Sequence, residues 1–232
     1  MTDILMCNNL TKFYGKTAAL QDMNLNLPAG RIIGLLGPNG SGKTTFLKIA
    51  NGLLQPSSGT LTINGNKPGI ETKRLVSYLP DSTYLNDWMK IRDMLAFFQD
   101  FYEDFDKNKA QEMLRHLDLS EESRLKTLSK GNKEKIQLIL VMARQAQLYL
   151  LDEPIGGVDP AARDYILQTI LKNYNENASI LISTHLIADV EKIFDHVVFL
   201  NQGKVVKDGA VDDIREESGE SIDSLFREVF KC

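Results

Sequence analysis

Cysteine is scarce in this chain of 232 residues, which contains only two, Cys7 and Cys232, near opposite ends of the sequence. Two cysteines so far apart fit neither a metal-binding cluster nor a network of disulfide bonds. Their spacing is typical of a protein from a reducing compartment, and we expect the cytosol. The first ten residues also contain no signal-peptide pattern.

Long hydrophobic runs and an excess of positive charge are missing as well. The longest apolar runs, such as residues 136–143, fall well short of the ~20 residues that span a bilayer. The formal net charge is -4, so no global basic field favours nucleic acid, and we expect no nucleic-acid partner. If the protein works at a membrane, another subunit must hold it there.

Glycine is concentrated in one motif. Residues 37–45 match the pattern G-x-x-x-x-G-K-[ST] of a phosphate-binding loop. In such a loop the glycines let backbone amides approach a polyphosphate, Lys43 reaches the β- and γ-phosphates, and Thr44 offers a hydroxyl to Mg²⁺. The candidate nucleotide-binding residues here are Gly37, Asn39, Gly40, Ser41, Gly42, Lys43, Thr44 and Thr45. The motif predicts a protein that binds a nucleoside triphosphate with Mg²⁺.

The residues that flank this loop favour the same interpretation. Residues 31–36 are apolar and typical of a short buried strand, and residues 43–54 carry apolar side chains at helical spacing. A helix that begins at the loop directs its N-terminus, with roughly +0.5 of an elementary charge, at the phosphates.

Strand and helix patterns alternate along most of the chain. We predict β-structure in the first thirty residues, strands at 59–65, 73–79, 148–151, 178–183, 196–200 and 204–207, and helices at about 132–146, 160–174 and 186–194. Residues 87–126 are helical in pattern, and so is the acidic tail from Asp212 onward. The alternation predicts an α/β fold whose largely parallel sheet is covered on both faces. The aromatic residues within 87–126 fit a subdomain core, with contact to a partner protein as the alternative.

Acidic residues and a histidine follow two of the predicted strands. Asp152 and Glu153 end the apolar run 148–151, and His185 follows the strand at 178–183. In nucleotide hydrolases a strand-end Asp holds Mg²⁺, and an adjacent Glu can polarise the attacking water. A neutral imidazole at a strand's carboxyl end can donate to a γ-phosphate oxygen.

The order of these motifs resembles that in the nucleotide-binding subunits of ABC transporters, over nearly all of residues 1 to about 210. Leu128–Asn132 resembles the signature motif of these ATPases, with Ser129 and Gly131 as candidate nucleotide contacts. Residues 156–159 resemble the loop that crosses the dimer interface, with Asp159 as a further candidate contact. Tyr14 resembles the aromatic residue that stacks on adenine.

The resemblance implies a P-loop NTPase core with a mostly parallel sheet, an N-terminal antiparallel β-subdomain and an inserted α-helical subdomain. We accordingly expect a single ABC ATPase domain in residues 1–232. Residues 1–80 and 147–210 would form the catalytic core with its β-subdomain. Residues 82–146 would form the helical subdomain, including the signature, and residues 211–232 a short helical tail.

The resemblance also implies that the chain hydrolyses ATP with Mg²⁺, with Lys43, Glu153 and His185 as the catalytic residues. The phosphate loop of one copy would face the signature of a second ATPase subunit, either the same chain or a related one. Two helix N-termini would then clamp one triphosphate. A separate membrane-spanning subunit would use the resulting motion, which places the chain in the cytoplasm at the inner face of the cell membrane.

Two positions depart from the family pattern. Asp81 stands where the family usually has Gln, and Lys130 stands where the second residue of the signature is usually Gly. Asp81 is a candidate ligand of Mg²⁺ beside Thr44 and Asp152, and we hypothesise that it makes nucleotide affinity unusually dependent on the metal. The alternative for each departure is a side chain that faces solvent.

The other function that we consider is a soluble ABC-type ATPase acting on ribosomes or DNA. Ribosome-acting relatives usually carry two ATPase units in one chain, and DNA-acting ones carry a long coiled coil, whereas this sequence has one phosphate loop and no heptads before Asp152. A GTP-dependent switch is disfavoured, because no Asn-Lys-x-Asp motif occurs. We expect an exporter-type transporter subunit rather than one of a sugar importer.

Overall fold

The computed structural model describes residues 3–158, 160–175 and 177–231, with the side chains of residues 160–162 left out. The strands are β1 (Asp3–Tyr14), β2 (Thr17–Pro28), β3 (Ile32–Leu36), β4 (Ser58–Ile63), β5 (Val76–Leu79), β6 (Leu148–Asp152), β7 (Ser179–Thr184), β8 (His196–Asn201) and β9 (Lys204–Ala210). The α-helices are α1 (Lys43–Ala50), α2 (Ile70–Leu75), α3 (Ile91–Phe101), α4 (Lys107–His116), α5 (Lys130–Met142), α6 (Pro160–Asn173), α7 (Ile187–Val190), α8 (Val211–Ser218) and α9 (Ile222–Phe230). Leu125–Thr127 and Glu191–Ile193 are short 3₁₀ helices.

A six-stranded sheet forms the centre of the fold, in the order β5-β6-β7-β3-β8-β9. All neighbouring strands in it are parallel except β8 and β9, which are antiparallel. Every residue of β3, β6 and β7 is buried, as expected for strands covered on both faces. Because these three strands are adjacent and parallel, the segments that follow them meet at one edge of the sheet.

A second sheet contains the three antiparallel strands β2-β1-β4 and packs its inner face over α1. Its core residues alternate with exposed ones along β2, where Met23, Leu25 and Leu27 are buried. The predicted α/β fold, with a mostly parallel sheet and an antiparallel N-terminal sheet, is confirmed.

The helical segment that follows β5 buries only part of its aromatic surface. Met94, Leu95, Phe98 and Phe105 lie in the same core cluster as residues of α4 and α5. Phe97 and Phe101, by contrast, are 49% and 68% exposed and stack on each other with ring centroids 4.4 Å apart. The predicted subdomain core is therefore present, and contact of the exposed pair with a partner protein stays a prediction.

Four predicted boundaries differ from the structure. The predicted strand 73–79 is split, because Gly69 N–H bonds Thr72 Oγ1 at 2.8 Å and starts α2, so that β5 begins only at Val76. Helix α1 ends at Ala50 rather than near residue 54, since Gly52 adopts a φ of 70° that ends a helix.

The other two differences lie around the signature and after His185. Helix α5 begins at Lys130, because Ser129 Oγ accepts a hydrogen bond from Asn132 N–H at 3.2 Å and caps it. The helix predicted at 186–194 is only α7 followed by a 3₁₀ turn. No helix in the described part of the chain is long and apolar enough to cross a bilayer.

Candidate functional site

The phosphate-binding loop joins β3 to α1 and requires glycine at two positions. A Cβ on Gly37 would lie 2.3 Å from the carbonyl oxygen of Leu200, and one on Gly42 would lie 2.5 Å from that of Ala19. Gly42 also has a φ of 112°, which an L side chain rarely adopts. The loop thus packs so closely against β2 and β8 that a side chain at either glycine would clash.

Lys43 extends its ammonium group back into the loop that precedes it. Its side chain is only 5% exposed, and Nζ donates to the carbonyl oxygens of Gly37 at 2.7 Å and Pro38 at 3.3 Å. Nζ also lies 3.2 Å from Glu153 Oε1. A buried cation therefore stands between the N-terminus of α1 and the candidate catalytic carboxylate.

Thr44 and Asp152 form a second contact between the loop and the sheet. Asp152 Oδ1 accepts hydrogen bonds from Thr44 Oγ1 at 3.1 Å and from Ser183 Oγ at 2.6 Å. Asp152 Oδ2 is buried and has no hydrogen-bond partner in the described part of the chain. Burial raises the pKa of Asp152, the charges of Asp81 and Glu153 raise it further, and the bonds from Ser183 and Thr44 act in the opposite direction.

These groups fit a Mg²⁺ ion. Asp152 and Thr44 supply two of the hard oxygen ligands that Mg²⁺ prefers, a carboxylate oxygen and a hydroxyl. Oxygens of a bound phosphate would supply further ligands of the ion. Among the described residues, no group of three or more His, Cys, Asp or Glu side chains could hold a metal by itself. That agrees with the general behaviour of Mg²⁺, which is bound through one or two carboxylates together with substrate phosphates and water.

Glu153 and His185 meet at the edge of the sheet, as their positions after β6 and β7 predict. His185 Nδ1 lies 3.0 Å from Glu153 Oε2, and the two side chains are 38% and 18% exposed. Glu153 has a positive φ of 49°, which costs a non-glycine residue energy. Its backbone N–H donates to the carbonyl oxygen and the hydroxyl of Ser183, which hold the residue in this conformation.

Asp81 lies just beyond β5, on an exposed turn, and lines the same cavity as Asp152 and Glu153. Its charge contributes to the raised pKa of Asp152, after the larger effect of burial. Asp81 is also exposed to solvent, so its role as a ligand of Mg²⁺ stays a prediction.

Tyr14 and the signature lie outside the cluster that surrounds Lys43. Tyr14 ends β1, is 49% exposed, and has the ammonium group of Lys12 5.6 Å from its ring centroid. Ser129 and Gly131 lie at the exposed start of α5 and line a cavity together with Gly157 and Val158. Asp159 lies outside the described residues.

The sequence interpretation missed Ser183 as a member of the site. Ser183 is the register partner of Asp152 across the parallel pair β6–β7, so its hydroxyl faces the carboxylate directly. Ser183 could have been inferred from the sequence, because it ends the predicted strand 178–183, which should run parallel to the strand that carries Asp152.

Comparisons with known proteins agree on one family. The sequence model of the family described as "ABC transporter" matches residues 20–156. An uncharacterised ABC transporter ATP-binding protein of Methanocaldococcus jannaschii is 33% identical over 89% of this chain and 77% of its own length. The SkfA peptide export ATP-binding protein SkfE of Bacillus subtilis is 28% identical over 93% of this chain and 92% of its own length.

Solved structures agree with the sequence comparisons. A structure described as the ATP-binding subunit of an ABC transporter superposes with a TM-score of 0.88 at 30% identity, covering 98% of this chain and 99% of its own. A dimeric ATP-binding cassette bound to ADP and Pi shares the fold, with a TM-score of 0.78 at 22% identity over 89% of this chain and 98% of its own. Because the family's sequence model covers more than half of the chain, the chain belongs to the ABC transporter family, as one of its ATP-binding subunits.

Proposed function

We propose that this chain hydrolyses ATP at a site shared by two ATPase subunits and delivers the resulting motion to a separate membrane-spanning subunit. The observation that carries the proposal is the cluster at the edge of the central sheet. There Lys43 Nζ lies 3.2 Å from Glu153 Oε1, and His185 Nδ1 lies 3.0 Å from Glu153 Oε2. The Glu153 carboxylate, the candidate base, thus lies between the ammonium group of Lys43 and the imidazole of His185.

The phosphate loop binds and orients the triphosphate. Backbone amides at the start of α1 and the ammonium group of Lys43 face the phosphates, with Asn39, Gly40, Ser41 and Thr45 completing the loop. The hydroxyl of Thr44 and the carboxylates of Asp152 and Asp81 would hold Mg²⁺. When bound, the ion neutralises charge that develops on the phosphate oxygens. Tyr14 stacks on the adenine ring.

Glu153 acts as the base that orients and polarises the attacking water, from a partly buried position 3.2 Å from Lys43 Nζ. His185, whose Nδ1 lies 3.0 Å from Glu153 Oε2, is the donor of a hydrogen bond toward the γ-phosphate once ATP is bound. These two roles require an intact β6–β7 pair, since both residues are positioned by the last residues of those strands.

A second subunit is proposed because the signature lies apart from the phosphate loop within one chain. The cavity around Ser129 and Gly131 is lined by residues of α5 and of the loop after Glu153, and by none of residues 37–45. The start of α5 is exposed, and no described atom beyond its chain neighbours and the backbone of its own helix lies within 4 Å of the position of a Cβ on Gly131. A second copy, or a related chain, would place this surface, together with Asp159, against the γ-phosphate.

We propose that the membrane-spanning partner docks on the groove between the central sheet and α3. This groove is a cavity of about 510 Å³. It is lined on one side by the exposed pair Phe97 and Phe101, and on the other by Lys48 and Lys73. Asp81 lines this groove and also the cavity that contains Asp152 and Glu153, so a docked segment would contact a residue of the candidate site. A groove with exposed aromatics is a surface that a partner protein would bury.

We propose that different segments of the chain form the catalytic core, the helical subdomain and a C-terminal tail. Residues 1–80 and 147–210 form the catalytic core with its β-subdomain, 82–146 the helical subdomain, and 211–232 the tail. We propose a position in the cytoplasm, on the inner face of the cell membrane, and outward transport. The direction is supported by the similarity to SkfE, whose name describes peptide export.

The experiment that tests this function combines turnover with assembly. The wild-type protein should release phosphate from ATP in the presence of Mg²⁺. Glu153→Gln should bind ATP with similar affinity but lose at least 100-fold in turnover, because an amide cannot accept the proton of the attacking water. Light scattering should then show the variant as ATP-dependent dimers. Phosphate release by Glu153→Gln at the wild-type rate would contradict the proposed role of Glu153.

A further inference from the structure

Two loops leave neighbouring strands at the candidate site. Residues 153–158 follow β6 and begin with Glu153, whereas residues 185–190 follow β7 and begin with His185. The first segment contains bends and turns only, and the second contains two irregular residues followed by the four-residue helix α7. Individual contacts, rather than long runs of regular hydrogen bonds, must therefore position them.

The near ends of the two loops are held together at the sheet. Glu153 N–H donates to the carbonyl oxygen of Ser183 at 3.1 Å and to its hydroxyl at 3.0 Å. The side chains of Glu153 and His185 then meet at 3.0 Å. These contacts fix the first residue of each loop but leave the later residues of both loops to be held by other groups.

Arg163, in the second turn of α6, joins the far ends. Its Nε–H donates to the carbonyl oxygen of Val158 at 3.2 Å, and its Nη1–H donates to Asp189 Oδ2 at 2.7 Å. Val158 ends the first loop, and Asp189 lies in α7 within the second. A planar guanidinium group holds both acceptors in one geometry, which a single ammonium group cannot reproduce.

We propose that Arg163 is a positioning residue for hydrolysis, which sets the separation between the loop of Glu153 and the loop of His185. The contacts form a closed path that runs from Glu153 through Val158, Arg163 and Asp189 to His185 and back. Arg163 acts through the two loops and not on the nucleotide. This role rests on the proposed function, that ATP is hydrolysed at Glu153.

The ion pair between Arg163 and Asp189 is partly exposed to water, so its loss should affect catalysis more than stability. The side chains of Arg163 and Asp189 are 26% and 41% exposed, and ion pairs with this much access to water add little to stability. Reaction rates are far more sensitive, since a misplacement of about 1 Å can cost about 100-fold. Loss of Arg163 should therefore slow turnover much more than it lowers the melting temperature.

The experiment compares Arg163→Ala and Arg163→Lys with a matched control in the full-length protein. The control is Arg227→Ala, which removes a 2.9 Å ion pair with Asp223 on α9. Arg163→Ala should lower kcat about tenfold while the Kd for ATP stays within about twofold of wild type. The kcat of Arg163→Lys should lie between those of wild type and Arg163→Ala, because a lysine can keep one of the two acceptors but not both. The control should match wild type in every measurement.

Hydrogen exchange provides a readout that does not depend on turnover. Arg163→Ala should speed amide exchange in residues 154–158 and 186–190 and leave β6 and β7 unchanged. Asp189→Ala should reproduce the loss of kcat, and the double variant should lose little more than either single one.

The outcomes separate this role from the proposed function. If the wild-type protein hydrolyses no ATP, the proposed function fails and the positioning role with it. If the wild type is active, an Arg163→Ala variant with normal kcat or with unchanged exchange in both loops overturns the positioning role alone. A fall in kcat that accompanies an equal loss of ATP binding or a large drop in Tm also overturns it.

Discussion

Thr44 Oγ1 donates a hydrogen bond to Asp152 Oδ1 across 3.1 Å, although 108 positions separate the two residues in the sequence. The contact joins the first turn of α1 to the last residue of β6 and so ties the phosphate loop to the carboxylate that would hold Mg²⁺. It uses only one of the two carboxylate oxygens, since Asp152 Oδ2 is buried and has no hydrogen-bond partner among the residues that the structure describes. The hydrogen bonds to the other oxygen therefore offset only part of the effect of burial on Asp152, which has measurable consequences.

Asp152→Asn should stabilise the protein while it impairs binding of Mg²⁺ with ATP. Burial raises the pKa of Asp152, so its ionised form is disfavoured in the folded state. The cost of ionisation appears as pH rises above the ordinary value of about 4 and is fully present above the raised pKa. At pH 7.5 the free energy of unfolding of Asp152→Asn should exceed that of wild type by on the order of 1 kcal/mol.

Urea denaturation at a series of pH values measures this difference, which should shrink as the pH falls toward about 4. Asp100→Asn, which changes an exposed carboxyl group on α3, is the control and should show no such trend. A destabilised Asp152→Asn at neutral pH would mean that the buried carboxylate is compensated in a way that its hydrogen bonds do not reveal.

Asp81→Gln should reduce the dependence of ATP affinity on Mg²⁺. Asp81 lines the cavity that also contains Asp152 and Glu153, so its charge attracts the ion and repels a γ-phosphate without it. The ratio of ATP affinities with Mg²⁺ and with a chelator should fall on the order of tenfold, or about 1.4 kcal/mol. Titration calorimetry in both conditions measures it. Asp81→Glu keeps the charge and should keep the ratio, whereas an unchanged ratio in Asp81→Gln rejects the hypothesis.

Arg144→Leu should strongly destabilise the fold without touching the candidate site. The Arg144 side chain is 3% exposed and forms two hydrogen bonds with Asp104, from Nε at 3.0 Å and from Nη2 at 3.1 Å. It also donates to carbonyl oxygens at the end of α2 and lies 3.8 Å from the ring of Tyr102.

Removing one partner of such a buried pair should cost about 3 kcal/mol, measured by urea denaturation. Arg92→Leu, which breaks an exposed ion pair with Glu122, is the control and should leave the urea midpoint nearly unchanged. Equal midpoints for the two variants would show that Arg144 does not brace the helical segment against β5.

The residues that cluster at the sheet edge could be predicted from sequence, because each follows an apolar strand and parallel strands end at one edge. That reasoning placed Glu153 and His185 at the carboxyl ends of two strands, and the glycine pattern predicted the phosphate-binding loop. The boundary at Val76 could not be located by hydrophobic pattern, since a local cap between Gly69 and Thr72 decided it.

The contacts that position the loops at the site and those that hold the helical segment were beyond sequence reasoning. Arg163 bonds Val158 and Asp189, and Arg144 bonds Asp104, across turns whose path depends on how helices pack on the sheet. An isolated Arg in a helical pattern is most simply interpreted as a solvent-facing residue. Only the packed structure shows which acceptors it reaches.

A mixing experiment tests most directly whether the ATP site is shared between two copies. Lys43→Ala removes the phosphate-binding cation, whereas Ser129→Asp keeps the cap of α5 but places a negative charge where the phosphates of the partner would lie. Each variant alone should be inactive, and Ser129→Asn, a neutral cap, should retain much more activity. In an equal mixture roughly half of the dimers contain one subunit of each variant. Each mixed dimer has one site with both substitutions and one site with neither, so roughly a quarter of wild-type turnover should return. A mixture as inactive as its two components, or full turnover by Ser129→Asp alone, would contradict the shared site.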